Sequence, residues 1–128
     1  MDDYSVEELI EMQLNKIYNS APAGTKLSSK KLESVRDILQ FCIELSVDAY
    51  SIFQEEEGVV YSSVGDKENG GFPLSIFFEI DSYQPSAITT SSLCYILRNC
   101  VDDFSIDCAD ESHIRFTFTI DNAFVRGV

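Results

Sequence analysis

The stretch His113-Ile114-Arg115-Phe116-Thr117-Phe118-Thr119-Ile120 constrains this chain more than any other. Ile114, Phe116, Phe118 and Ile120 alternate with His113, Arg115, Thr117 and Thr119, a pattern that an extended strand with one buried face satisfies. A second run keeps the same period: Leu74, Ile76, Phe78 and Ile80 alternate with Ser75, Phe77, Glu79 and Asp81. Two such strands need a partner layer to cover their apolar faces, and the first half of the chain supplies it as helices.

Residues 5–18 read as a short amphipathic helix. Ser5 with Glu8 spells a capping box, and Val6, Leu9, Ile10, Leu14 and Ile17 recur at helical spacing. Residues 19–27 hold Pro22 and Gly24 and read as a linker. Ser28 or Ser29 then caps a long helix expected to run to about Gln54, with Leu32, Val35, Leu39, Cys42, Leu45 or Ser46, Ala49 and Phe53 as its apolar stripe. Ile38, Phe41, Ile43 and Ile52 widen that stripe, which predicts contact with both a sheet and the first helix. Glu55-Glu56-Glu57 follows, where the helix dipole disfavours negative charge, and Gly58 closes the element.

Residues 59–64, rich in branched side chains, predict a strand that pairs with 74–80 across the glycine-rich turn 65–71. A third helix is expected from a cap at Thr90, Ser91 or Ser92, with Leu93, Ile96, Leu97, Cys100, Val101 and Phe104 on one face. A short strand at 105–108 and the strand from His113 complete the order α-α-β-β-α-β-β. The fold class is therefore α+β: a two-layer sandwich of about three helices on one face of a four-stranded, mainly antiparallel sheet. At 128 residues, the whole chain (1–128) is expected to be one acidic domain. Phe77, beside Thr117 and Thr119, falls on the uncovered face and hints at a contact surface.

The segment Leu93-x-x-Ile96-Leu97-x-Asn99-Cys100-Val101-Asp102-Asp103, preceded by Glu79-Ile80-Asp81 and Pro85 and followed by Ile114-Arg115-Phe116, resembles the N-box region of histidine-kinase-type ATPases. The resemblance covers about a third of the chain. The family's metal-binding asparagine falls at Asp103, a departure, and its glycine-rich nucleotide boxes do not follow before Val128. The resemblance thus implies at most a relative that neither binds ATP nor relays phosphate.

Charge narrows the function classes. The chain carries 22 acidic and 9 basic residues, a formal net charge of −13. The excess is even along the chain, with 12 acidic and 5 basic residues through Glu57 and 10 and 4 after it. Such a surface repels nucleic acid, whose binding rests on Lys and Arg, and speeds association with a basic protein. No apolar run reaches the length of a membrane span, and the acidic start lacks a signal-peptide pattern, so a cytoplasmic location is expected.

Catalytic motifs are weak. Asp102, Asp103, Asp107, Asp110 and Glu111 crowd together, yet no apolar pocket separates their pKa values and no Asp-x-Asp-x-Asp-Gly calcium loop is spelled. Cys94, Cys100, Cys108 and His113 lack the short Cys-x-x-Cys pairs of zinc sites, so buried reduced thiols are the expectation. Gly65–Gly71 does not spell a phosphate loop, and no Gly-x-Ser-x-Gly elbow occurs. The expected activity is therefore non-enzymatic, with no cofactor and no metal. The leading reading is a small acidic binding protein that stoichiometrically inhibits a basic, nucleic-acid-handling protein such as a nuclease, in the manner of a phage anti-defence factor or a toxin's immunity protein. Its expected contacts are Glu55, Glu56, Glu57, Asp102, Asp103, Asp107, Asp110 and Glu111. The second reading is an acidic chaperone or adaptor, a homodimer among its forms, that binds through an apolar helix or the exposed sheet face.

Overall fold

The structure, a computed structural model, describes residues 5–45, 59–63, 71–80, 87–108 and 114–126. Among the described residues, three helices pack against an antiparallel sheet in the expected order. They are α1 (Val6–Ser20), α2 (Ser29–Leu45) and α3 (Ala87–Asn99), interleaved with β1 (Thr25–Leu27), β2 (Val59–Ser63), β3 (Gly71–Ile80), β4 (Asp103–Cys108) and β5 (Ile114–Arg126). The four expected strands are joined by a short fifth, β1, which lies within the expected linker.

Local chemistry explains the first turn of the chain. The Ser5–Glu8 capping box closes in both directions, with the Glu8 N–H donating to Ser5 Oγ at 3.1 Å and the Ser5 N–H to Glu8 Oε1 at 3.2 Å. After α1, Pro22-Ala23-Gly24-Thr25 makes a tight turn in which the Thr25 N–H donates to the Pro22 carbonyl at 3.2 Å. Gly24 has a φ of 82°, which a side chain would resist, and this turn swings the chain back into the sheet. Thr25–Leu27 then pairs with Phe124–Arg126 of β5. The Ser28 N–H donates to the Ala123 carbonyl at 2.7 Å, so the start of α2 is tied to the same strand.

β5 is the spine of the sheet. One edge pairs with β3, and the other is shared by β4 along Ile114–Thr119 and by β1 along Phe124–Arg126. β2 pairs with β3 at the far side, from Val59 opposite Phe78 to Ser63 opposite Leu74. The expected strand 113–120 is thus half of the real one. It continues past an irregularity where Phe72 opposes Phe124 and Leu74 opposes Ile120, with Pro73 and Asn122 in the gap. Proline cannot donate to the ladder there, and Asn122 adopts a left-handed φ of 54°.

The core lies between this sheet and the helices. Leu74, Ile76 and Phe78 of β3 and Phe116, Phe118 and Ile120 of β5 are wholly buried, as the alternation predicts. From α2, Val35, Ile38, Leu39, Phe41 and Cys42 are buried in the same core. The Phe41 ring meets Phe116 and Phe118 edge-on, with centroids 6.5 and 6.1 Å apart. Phe104, expected at the end of the third helix, belongs to β4 instead; α3 stops at Asn99, and Phe104 packs 5.2 Å from the Phe118 ring. Leu97, expected on the apolar face of that helix, is exposed, and Ile96 carries the α3 contact. The expected extension of the second helix to Gln54 lies outside the described residues.

On the opposite sheet face Phe77 stands across from Thr117, as expected, and Ser75 stands across from Thr119. The Ser75 and Thr119 hydroxyls lie 3.2 Å apart, and the Arg115 guanidinium lies 6.0 Å above the Phe77 ring. α1 is fastened to α2 by Arg36, which donates to Glu7 at 2.6 Å and also to Glu11. The Glu11 hydrogen bond is the main reason the guanidinium pKa is raised. Within α1, Gln13 is wholly buried, and its side-chain amide has no hydrogen-bond partner among the described residues. No helix among the described residues is long and apolar enough to cross a membrane.

Candidate functional site

Three of the expected contact residues fall within the described residues, around the start and length of β4. Asp102 links α3 to β4. Its N–H donates to the Thr119 carbonyl at 2.8 Å, and its carboxylate accepts from the Asp121 N–H at 2.7 Å. It therefore clamps the strand entry to β5 as well as presenting charge. Asp103 accepts from the Phe104 N–H at 2.9 Å, and the Ser105 hydroxyl lies 3.5 Å from Asp107.

Because Phe104 packs on the Phe116 and Phe118 rings, strand alternation sends Asp103, Ser105 and Asp107 to the side away from the helices. All three are exposed. The register sets Asp107 opposite Arg115, which partly offsets its charge, while Asp103 faces Thr119. Asp103 and Asp107 thus form a short acidic row on a strand whose outer edge has no partner among the described strands. Glu55, Glu56, Glu57, Asp110 and Glu111 lie outside the described residues.

A second arrangement was missed by sequence reasoning. A groove of about 320 Å³ opens between α2 and α3. Asp37, Gln40, Phe41 and Glu44 line it from α2. Ser92, Tyr95 and Ile96 face them from α3. Phe41 and Ile96 are buried and make the floor, while Tyr95 stands at the rim, 53% exposed. The Glu44 carboxylate is held loosely by Gln40 Nε2 and the Ser92 hydroxyl, each at 3.4 Å.

At the other end, the Cys100 thiol lies 3.8 Å from Asp37. Burial and the nearby charge of Glu33 hold the Asp37 carboxyl above its ordinary pKa, with the thiol pulling weakly the other way. Burial likewise pushes the Cys100 thiol up, helped by Asp37. The spacing 37, 40, 41, 44 was legible as one helix face. It was hidden because Phe41 counts equally as core, and because α3 begins at Ala87 rather than near Ser91.

All four cysteines are unbridged. Cys42 and Cys100 are buried as expected, and burial raises the Cys42 thiol well above its usual range. Cys94 and Cys108 are exposed, against expectation, since α3 turns Cys94 outward and β4 has no outer partner among the described strands. Among the described residues no three His, Cys, Asp or Glu side chains gather as metal ligands.

The segment that resembles an N-box folds as the end of β3, α3 and β4, followed by the start of β5. Compared with family models, curated proteins and solved structures, the chain matches none.

Proposed function

We propose that the protein is an acidic binding module that inhibits a basic, nucleic-acid-handling protein by stoichiometric association. The observation that carries this reading is the exposed Asp103–Asp107 row on β4, whose outer edge has no partner among the described strands, within a chain of net charge −13. Carboxylates on an unpaired strand edge discourage other sheets from adding there, and they draw a cationic surface instead. An inhibitor of this kind needs no cofactor; it works by covering the groove through which the partner holds phosphate.

A second reading, the acidic chaperone or adaptor, is favoured by a different observation. Ile88 is 76% exposed on α3 and Ile106 is 51% exposed on β4, apolar side chains suited to a hydrophobic client.

Salt separates the two, because screening shortens from about 10 Å at 0.1 M and weakens exposed ion pairs while apolar contacts persist. The test is affinity capture from host lysate with washes at about 0.1 and about 0.5 M salt, using the wild type and an Asp103→Lys/Asp107→Lys variant. Retention of a basic nucleic-acid enzyme by the wild type at low salt, its loss at high salt and its absence with the variant support inhibition. Activity of that enzyme should then fall to zero at equimolar inhibitor. Equal retention by the charge-reversed variant overturns this reading, and salt-resistant capture of an apolar client replaces it with the second.

A further inference from the structure

We infer that the α2–α3 groove binds a linear aliphatic diamine or polyamine, stretched between Asp37 and Glu44 along the face of α2. This goes beyond the docking reading and does not depend on it, since the groove and β4 are separate features of the surface.

The order of groups along the groove sets the ligand class. Asp37 and Glu44 are seven positions apart on one helix, which places their backbones about 10 Å apart along its axis. Asp37 turns to Cys100 while Glu44 turns to Gln40 and Ser92, so the two carboxylates serve separate ends of the groove. Between them the floor is apolar, with Phe41 and Ile96 buried and Tyr95 at the rim, while Gln40, Ser91 and Ser92 add neutral polar groups to the walls. A chain with ammonium groups at its ends and methylenes between them matches that sequence of charge, apolar surface and charge. An ammonium beside Tyr95 also gains from the ring face. The groove volume of about 320 Å³ admits such a slender molecule and leaves room for water.

Electrostatics point the same way. No Lys or Arg lines the groove among the described residues. The described contacts of Asp37 and Glu44 are limited to a thiol at 3.8 Å and two neutral donors at 3.4 Å. Both carboxylates therefore keep lone pairs for a cation, and Asp37 sits where burial and Glu33 make its lone negative charge costly. A bound ammonium would remove that penalty through a charge-assisted hydrogen bond of about 2.8 Å.

The test is a two-dimensional amide NMR titration of the full chain with a homologous series of α,ω-diamines, diaminopropane to diaminooctane. Butylamine, magnesium and the peptide Lys-Gly-Lys serve as comparison ligands. Affinity should peak at one intermediate chain length, with shifts centred on Ser92, Tyr95 and Gln40. Butylamine should bind at least about tenfold more weakly, given one charge-assisted contact instead of two. Asp37→Asn and Glu44→Gln, each nearly isosteric, should each weaken the best diamine about five- to tenfold. Thermal melts of both variants report whether the fold is intact.

Affinity that merely rises with ligand charge, with shifts spread over the surface, would mean general counterion attraction and would overturn the inference. So would unchanged binding in the two folded variants. Tighter groove binding by Lys-Gly-Lys than by any diamine would overturn the free-amine assignment and give the groove to a basic protein segment. Loss of the β4-dependent capture described above would leave the diamine result untouched.

Discussion

Phe41 is the side chain that pins α2 to the sheet, and its truncation is the most exacting test of the packing. It is 1% exposed and meets Phe116 and Phe118 edge-on. Replacing a buried phenylalanine by alanine costs about 3–5 kcal/mol, the sum of lost transfer energy and the cavity left behind. Within that total, each edge-to-face ring pair accounts for about 0.5–1.5 kcal/mol. Unfolding entropy near the midpoint is about 2.1 cal/mol/K per residue, so 128 residues give about 0.27 kcal/mol/K. A loss of about 4 kcal/mol therefore lowers Tm by about 15 °C.

The assay is urea and thermal unfolding followed by circular dichroism, at constant m-value. Phe41→Leu, which keeps an apolar side chain and loses the ring, should lose about 1–2 kcal/mol and remain measurable if the alanine variant is unfolded. A double-mutant cycle of Phe41→Leu with Phe118→Leu should show coupling of about 0.5–1.5 kcal/mol. Additive effects, or a loss below about 1.5 kcal/mol for Phe41→Ala, would refute the claim that these rings join helix to sheet.

Three further outcomes follow from single residues. Gln13→Met should stabilise the chain by about 1–2 kcal/mol in urea melts, because it removes a buried amide without partners among the described residues while keeping the side-chain length; a loss of stability would mean the amide is satisfied. Asp37 keeps its proton to higher pH when folded than when unfolded. Its contribution is thus most favourable below the ordinary carboxylate range and is lost as pH rises through its folded pKa. Asp37→Asn should accordingly melt higher than wild type at neutral pH, with the gain vanishing on acidification; a gain that grows in acid reverses the sign of the reasoning. Asn122→Ala should cost about 1 kcal/mol, since alanine resists the left-handed φ of 54°, whereas Asn122→Gly should be near neutral; equal melts for the two variants would show that this conformation is not held.

Much of the fold was legible because its signals are local. The alternation of Ile114, Phe116, Phe118 and Ile120 depends only on strand geometry, and all but the partly buried Ile114 are sealed in the core. The Ser5–Glu8 box likewise needs three residues of spacing and nothing more distant. The acidic row at Asp103 and Asp107 was visible as charge, although its placement on an edge strand was not.

What only the tertiary structure decided depends on partners far away in sequence. Thr25–Leu27 is too short to announce a strand, and it becomes one because the end of β5 offers a free edge beside it. β5 continues past Ile120 because β3 and β1 grip Phe124 and Val125 from both sides, overriding a break in the apolar period. Phe104 reads as helical by spacing, but the rings of Phe116 and Phe118 claim it for β4. The Asp37–Glu44 groove exists only because α3 lies against α2, so half of its wall comes from residues about fifty positions away. Periodicity along the chain thus determined which faces are apolar, and the meeting of those faces decided where the strands end and where a ligand can enter.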